Sequence, residues 1–291
     1  MITFYRRKAL SISSGKGMAA FIEGCHPSSV KNINWRGTKT AVIRNDRPVP
    51  EDTQLLVRLG VTTPTGVPLE YQVNRSEAIH RVNDKSYART IMQDVCPHTI
   101  FDVDQYEGQR MIVRPCHHAQ GKNLWVINSL QELVKVTDWL GDNWYASEYI
   151  PKVAEYRVYV MSGRVITVAQ KTPDNPDAVA WNVHQGGRFD VVPWGEWPLE
   201  ACRVATEGMS KFDLDFGGVD VMLDADGKAY VIEINSAPSL PFLSDGSISY
   251  RQKCMAKGFM HMLEHGRNLE PVVHDNGWRG YIHPAIWKEK L

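Results

Sequence analysis

Two carboxylates and an amide occur where a plain β-hairpin would carry apolar residues. Asp220 lies in one strand-like run, Glu233 and Asn235 lie in the next, and Asp226-Gly227 stands between them. A two-residue turn at Asp226-Gly227 places Asp220 opposite Glu233 and puts Asn235 on the same face, because side chains alternate along a strand. Oxygens of this kind bind Mg²⁺, usually together with phosphate oxygens and water. The spacing therefore predicts a magnesium site.

The predicted pairing of Asp220 with Glu233 needs a positive counter-charge. Two like charges about 5 Å apart repel by about 3 kcal/mol at an effective dielectric of about 20. A divalent cation is the simplest compensation. On this reasoning the substitutions Asp220→Asn and Glu233→Gln relieve repulsion, so we expect such variants to stay folded while they lose metal-dependent activity.

The register of this hairpin leaves other interpretations open. A three-residue loop with a bulge would shift the pairing by one residue and separate the carboxylates onto opposite faces. An ordinary solvated hairpin remains an alternative, since most charged residues on strands face water. An EF-hand loop is disfavoured because its first ligand position would be Met222 and its flanks are strand-like.

The composition of the whole chain excludes several classes of protein. The chain has 291 residues, with 33 basic and 33 acidic side chains, so its net charge of +0 predicts no attraction to nucleic acid. Its five cysteines are scattered without metal-ligand spacing, which predicts reduced thiols and a cytoplasmic protein. No apolar run is long enough to predict a membrane span or a signal peptide.

Hydrophobic periodicity and turn residues divide the chain into four parts. The first part is a small α/β lobe, within which we expect a helix over residues 51–59. The second part alternates short strands with helices, and the third contains long hairpins and two helices. The predicted boundaries are 1–84 for the N-terminal lobe, 85–150 for the central lobe, 151–266 for the C-terminal lobe with the metal site, and 267–291 for a tail that packs on the body.

From Lys85 to about Leu240, the sequence resembles the ATP-grasp superfamily, in particular its D-alanine ligases and the glutamate ligases that modify ribosomal protein. The most specific motifs are GVDVM with VIEINSAPSL, and SEYI followed by AEYRVYV. The phrase INWRG is also similar to ATP-grasp proteins carried by phages. The resemblance implies an α+β fold in which two lobes clamp ATP, preceded by the small α/β lobe. It also implies ATP and two Mg²⁺ ions as cofactors.

The resemblance assigns a role to each matching position. In the family, the equivalents of Asp220, Glu233 and Asn235 hold the metal ions. The nucleotide-binding positions are Glu148 with the backbone of Tyr149 and Ile150 for adenine, Glu155 for ribose, Lys85, Arg114 and Lys171 for the phosphates, Gly121 in the phosphate flap, and Asn182 beside the metals. Two departures are that Arg114 replaces the usual lysine and that the flap keeps only one glycine. Arginine still supplies charge, whereas fewer glycines allow fewer close amide contacts.

Arg157 and Lys171 are the candidate catalytic residues. Arg157 would orient a substrate carboxylate through a bidentate contact. A simple turn at Ser162-Gly163 places Arg157 and Lys171 on opposite faces, so their cooperation requires strand twist or a bulge near Gln170.

The resemblance implies a ligase that joins a carboxylate to an amine through an acylphosphate and releases ADP and phosphate. A kinase of the same fold and a nucleotide-binding module without turnover are the alternatives. The expected partners are small-molecule or peptide substrates, with no nucleic acid and no membrane, and a homodimer is left open.

Overall fold

The computed structural model describes residues 1–8, 12–31, 34–116, 123–175, 178–179, 181, 187–269 and 281–287. The strands are β1 (Ile2–Arg6), β2 (Trp35–Arg36), β3 (Thr40–Arg44), β4 (Leu55–Leu59), β5 (Gln72–Val73), β6 (Thr99–Ile100), β7 (Met111–Pro115), β8 (Trp125–Ile127), β9 (Trp144–Glu148), β10 (Lys152–Met161), β11 (Arg164–Thr172), β12 (Arg188–Val191), β13 (Phe216–Asp224) and β14 (Ala229–Asn235). The α-helices are α1 (Ser13–Glu23), α2 (Ser76–Asn83), α3 (Lys85–Ile91), α4 (Leu130–Leu140), α5 (Leu199–Ser210), α6 (Tyr250–His265) and α7 (Pro284–Trp287). Short 3₁₀ helices cover Pro27–Ser29, Leu69–Tyr71 and Val103–Gln105.

The first sheet has the strand order β2-β3-β1-β4-β5, and its pairs are parallel except for β2 with β3. The predicted helix over residues 51–59 is wrong, because Leu55–Leu59 forms strand β4. Every residue of β4 is buried, and the strand pairs with neighbours on both sides. A short, continuously apolar run is typical of such an interior strand of a parallel sheet.

The second sheet is antiparallel, with the order β6-β9-β7-β8. It has its own small core, which includes Met111, Val113 and Leu133 of helix α4. Helix α4 begins after Ser129, whose hydroxyl accepts a hydrogen bond from the Glu132 amide (3.2 Å), as expected for an N-cap.

The third sheet is antiparallel, with the order β12-β11-β10-β13-β14, and it carries most of the predicted site residues. Helix α5 packs against β13 and β14, and helix α6 packs against β11 and against α1 of the first lobe. Gln252 of α6 is fully buried and donates to the carbonyl oxygens of Ser13 and Leu240 (both 2.9 Å). These bonds fix α1 and the loop after β14 to the same helix.

One large core joins the first lobe to the third sheet, and helices α2 and α3 contribute Ile79 and Ala88 to it. Helix α3 begins at Lys85 and is capped by Asp84, whose carboxylate accepts from the Tyr87 amide (3.0 Å). The cap therefore sets Lys85 in the first turn of α3, beside the third sheet.

The described part of the C-terminal tail, residues 281–287, packs on the third sheet. Ile282 forms a parallel bridge with Val165, and Ile286 is fully buried. Among the described residues, no helix combines the length and apolar character needed to cross a membrane.

Candidate functional site

The turn between β13 and β14 differs from the predicted one. Asp224 donates its amide hydrogen to the carbonyl of Lys228 (3.1 Å), so the loop has three residues, and Gly227 takes a left-handed conformation with φ of 78°. Val221 consequently pairs with Val231 instead of with residue 232. This is the loop length that would place the two carboxylates on opposite faces.

A β-bulge in β14 restores the predicted carboxylate pair. The register shifts between Asp220 and Val221, leaving Ile232 as the extra residue, and Asp220 pairs with Glu233. A bulge moves every following residue of its strand by one position relative to the partner strand. The carboxylates therefore share a face for a reason that differs from the predicted turn.

Arg89 of α3 holds this bulge in place. Its side chain is 6% exposed, and its guanidinium donates to the carbonyl oxygens of Val231 (3.4 Å) and Ile232. The sequence reasoning missed this residue. The available signal was a basic side chain on the apolar face of a short helix, next to Ala88 and four residues after Lys85.

A second bulge brings Arg157 and Lys171 to one face of the sheet. Tyr159 pairs with Thr167 while Val160 pairs with Val165, so residue 166 is extra. The bulge lies close to the hairpin turn, and the predicted position near Gln170 is wrong. Because Arg157 then pairs with Ala169, it projects from the same face as Lys171.

Protein cations surround Asp220, which is 3% exposed. Arg157 makes a bidentate contact with it, from Nε to Oδ1 (2.6 Å) and from Nη2 to Oδ2 (2.8 Å). The Lys171 ammonium lies 2.9 Å from Oδ2 and also contacts Glu155. In this arrangement, the compensation for the buried carboxylate comes from the chain itself.

The charges of this cluster shift the pKa values of its members. Burial disfavours the ionised form of Asp220, but the charges of Arg157 and Lys171 outweigh burial and hold the pKa of the carboxyl below its usual value. Burial likewise disfavours the Lys171 ammonium, but Asp220 and Glu155 raise its pKa. Asp220 and Lys171 are therefore both charged at neutral pH.

Glu233 has looser surroundings than Asp220. Its side chain is 30% exposed, the Lys85 ammonium lies 3.4 Å from Oε2, and Asn235 donates to Oε1 (3.1 Å). Burial opposes ionisation, but Lys85, the hydrogen bond from Asn235 and the nearby Arg157 lower the pKa of Glu233. The structure thus brings Lys85, Glu233 and Asn235 together beside Asp220.

Lys152 is a second residue that the sequence reasoning missed. Its ammonium contacts Glu155 Oε2 (2.7 Å) and the Val179 carbonyl (3.0 Å), and it lies 4.7 Å from the centre of the Trp181 ring. Burial lowers its pKa despite the neighbouring Glu155. Glu155 therefore has one lysine on each carboxylate oxygen, Lys152 on one and Lys171 on the other.

A cavity of 280 Å³ opens between the second and third sheets. The predicted nucleotide residues among its lining are Arg114, Glu148, Tyr149 and Ile150, and Lys152 lines it as well. The Tyr149 amide donates to the Arg110 carbonyl (2.9 Å), so a hydrogen bond from Tyr149 to a base would use its carbonyl group. Gly121 and Asn182, the remaining predicted positions, lie outside the described residues.

The donor atoms of Asp220, Glu233 and Asn235 fit a hard divalent cation. They supply carboxylate and amide oxygens from one face of a β-ribbon. Within the described part of the chain, no group of three or more His, Cys, Asp or Glu side chains is arranged to hold a metal. The two carboxylates would therefore share a Mg²⁺ ion with water and phosphate oxygens, which is the usual coordination of Mg²⁺ at phosphate sites.

Comparison with known proteins gives one family and several solved structures. A family described as an ATP-grasp domain, the third family of its clade, matches residues 66–253. The ATP-grasp ligase PsnB, solved in complex with a minimal precursor, is similar with a TM-score of 0.60 at 13% identity, over 89% of this chain and 98% of that one. No protein of curated function matches the sequence.

Two further structures are similar at comparable levels. D-alanine–D-alanine ligase from Bacillus anthracis has a TM-score of 0.58 at 13% identity, over 92% of this chain and 98% of that chain. L-amino acid ligase from Bacillus licheniformis has a TM-score of 0.58 at 15% identity, over 98% of this chain and 78% of that chain. At these identities the likeness concerns the fold.

Proposed function

Since the chain belongs to this family of ATP-grasp domains, we propose that it is an ATP- and Mg²⁺-dependent ligase that joins a carboxylate to an amine. The observation that carries the proposal is the pairing of Asp220 with Glu233 on a face that also presents Arg157 and Lys171, beside a nucleotide-sized cavity. The similar structures include a ligase with a precursor substrate and an L-amino acid ligase.

The proposed nucleotide position follows from the cavity and the cations around it. The base occupies the 280 Å³ cavity between the second and third sheets, in contact with Glu148 and Ile150. Arg114, which lines this cavity, and Lys85, which lies beside Glu233, face the anionic oxygens of the phosphates. Lys152 and Glu155 lie between the base and the acidic pair, so they bind the ribose together.

The metal would be held by Asp220, Glu233 and Asn235. A bound Mg²⁺ supplies charge neutralisation at the phosphate oxygens. The chain then needs to align the reactants and to stabilise developing negative charge, which is the main task of a protein in phosphoryl transfer. Arg157 and Lys171, fixed by Asp220, provide two positive charges on the same face for that purpose.

The proposed reaction has two steps. An oxygen of the substrate carboxylate attacks the γ-phosphorus of ATP, the bond to the β,γ-bridging oxygen breaks, and ADP leaves. The amine nitrogen then attacks the acyl carbon of the acylphosphate, phosphate leaves with the electrons of the C–O bond, and the amine loses a proton to solvent. Arg157 orients the carboxylate and stabilises the transferring group in the first step.

The test is a turnover assay with ATP, Mg²⁺ and a matrix of amino acids and short peptides. We expect ADP and phosphate to be released only when a carboxylate and an amine are both present, with an amide product that mass spectrometry identifies. Release of AMP and pyrophosphate would exclude the acylphosphate route. Recovery of the phosphoryl group on a hydroxyl acceptor would instead identify a kinase, and tight ATP binding without turnover would identify a binding module.

A further inference from the structure

Arg251 is a buried cation that no acidic side chain among the described residues pairs with. It lies in the first turn of α6, is 7% exposed, and donates from Nη1 to the hydroxyl of Tyr159 (3.1 Å). Its Nε is buried and has no hydrogen-bond partner within the described part of the chain.

The surroundings of Arg251 are strongly positive. The ring of Phe189 lies 5.5 Å from Arg251 Cζ, 4.8 Å from Arg157 Cζ and 5.7 Å from Lys171 Nζ, so three cations surround one aromatic side chain. Asp220, a carboxylate of the same cluster, is already bound by Arg157 and Lys171. Of these three cations, Arg251 is thus the one that lacks a compensating acid in the ranges that the structure describes.

The energetic position of Arg251 is unfavourable in the chain by itself. A buried charge without a partner is costly, and the N-terminal turn of a helix carries positive dipole charge that repels a cation. The contact with Phe189 and the single hydrogen bond to Tyr159 offset only part of this cost. An anion beside Arg251 would remove the imbalance.

The direction of strand β10 indicates which anion this is. Glu155, Arg157 and Tyr159 follow one another on the same face of β10, at intervals of about 7 Å. Glu155 is at the end next to the nucleotide cavity, because its partner Lys152 lines that cavity. Tyr159, and Arg251 with it, lies at the other end, beyond the position where Arg157 meets the reacting carboxylate.

We propose that Arg251 binds a second carboxylate of the substrate whose first carboxylate is activated beside Arg157, so that the enzyme selects dicarboxylates. This inference rests on the proposed ligase function, since it places a substrate carboxylate at Arg157. The two guanidinium groups flank the Phe189 ring, and a short dicarboxylic molecule spans them. Arginine suits this role because it pairs with carboxylates in a bidentate geometry.

The experiment measures binding, so it does not depend on turnover. L-glutamate, L-aspartate and succinate are titrated calorimetrically into the protein saturated with Mg²⁺ and a non-hydrolysable ATP analogue. Each is compared with its mono-amide, namely glutamine, asparagine and succinamate. We expect at least one dicarboxylate to bind about 10- to 100-fold more tightly than its amide, which is the effect of one charge-assisted contact.

Arg251→Met is expected to remove this difference between acid and amide while leaving the affinity for the ATP analogue unchanged. Arg251→Lys is expected to retain part of it, and it decides the question if the methionine variant does not fold. Lys253→Met, at an exposed position in the same turn of α6, is the matched control and is expected to behave as the wild type.

Three results would overturn the proposal: equal binding of acids and amides by the wild type, including no binding of either; unchanged discrimination in Arg251→Met or, where that variant does not fold, in Arg251→Lys; or a weakened affinity for the ATP analogue equal to the loss for the dicarboxylate. A protein that discriminates through Arg251 but forms no amide product would refute the ligase function alone.

Discussion

The Lys171 ammonium lies 2.9 Å from Oδ2 of Asp220, on the same face of the third sheet as Glu233, with which Asp220 is paired. Arg157 completes the surroundings of Asp220 with a bidentate contact. Asp220 therefore has two functions in this arrangement. It is a candidate metal ligand, and it is also the acid that neutralises two buried cations.

This double role changes the expected stability of the amide variants. Replacing Asp220 with Asn leaves Arg157 and Lys171 buried with less compensation, so we expect Asp220→Asn to lower the free energy of unfolding by about 3 to 5 kcal/mol. Glu233→Gln acts at a partly exposed pair with Lys85, and we expect a loss of about 1 kcal/mol or less. Urea unfolding followed by tryptophan fluorescence measures both. Equal stabilities would show that relief of like-charge repulsion dominates, as the sequence reasoning assumed.

Arg89 provides a test of the bulge in β14. In Arg89→Met, the carbonyl groups of Val231 and Ile232 lose their donor, and the register that places Glu233 opposite Asp220 loses its support. We expect a stability loss of about 2 to 4 kcal/mol and an increased Mg²⁺ requirement for ATP-analogue binding. Arg81→Met, which removes an exposed ion pair on helix α2, is the matched control. An unchanged Mg²⁺ titration in a folded Arg89→Met protein would separate the bulge from metal binding.

Lys152 is expected to contribute to nucleotide affinity. It lines the 280 Å³ cavity and pairs with Glu155, so Lys152→Met removes one positive charge beside the bound nucleotide and frees one oxygen of Glu155. We expect the dissociation constant for ADP to rise about tenfold, measured by calorimetry. Lys228→Met, in the turn after β13, serves as the control. Equal ADP affinities for Lys152→Met and wild type would remove Lys152 from the nucleotide site.

The sequence was sufficient to predict the strands that carry the site and the pairing of Asp220 with Glu233, because alternation and turn residues are local signals. It was insufficient for the bulges at residues 166 and 232. The bulge at residue 232 is stabilised by Arg89, which lies more than 140 residues earlier in the chain, and no local pattern reports such a contact. The predicted turn was wrong by one residue, and the bulge corrected the register by the same amount.

The residues missed by the sequence analysis share a physical reason. Lys152 and Arg251 are basic side chains in segments where a solvated position is the ordinary expectation. Their significance comes from burial, which depends on the packing of the second sheet and helix α6 around the third sheet. The same limitation explains the wrong helix at residues 51–59, since interior strands are defined by neighbours on both sides.

Buried His283 is expected to make the stability of the chain depend on pH. Burial lowers the pKa of His283 to about 3, with smaller contributions from the charges of His261 and Arg164, whereas its ordinary value is 6.5. Its Nδ1 accepts the Ala285 amide (3.1 Å), and this bond is lost if Nδ1 is protonated. Between the two pKa values, the unfolded chain binds a proton that the folded chain excludes. Stability therefore falls as the pH is lowered below about 6.5.

The magnitude of this effect follows from the same two pKa values. Lowering the pH from 6.5 to 5 costs about 2 kcal/mol from His283 alone. His283→Asn keeps an acceptor near the position of Nδ1 but does not titrate, so we expect its stability loss over this interval to be smaller than that of wild type by about this amount. Urea unfolding at both pH values measures the difference, and His265→Asn, at an exposed position on α6, is the control. A pH dependence equal to that of wild type in His283→Asn would mean that His283 becomes protonated without disturbing the packing of residues 281–287 on the third sheet.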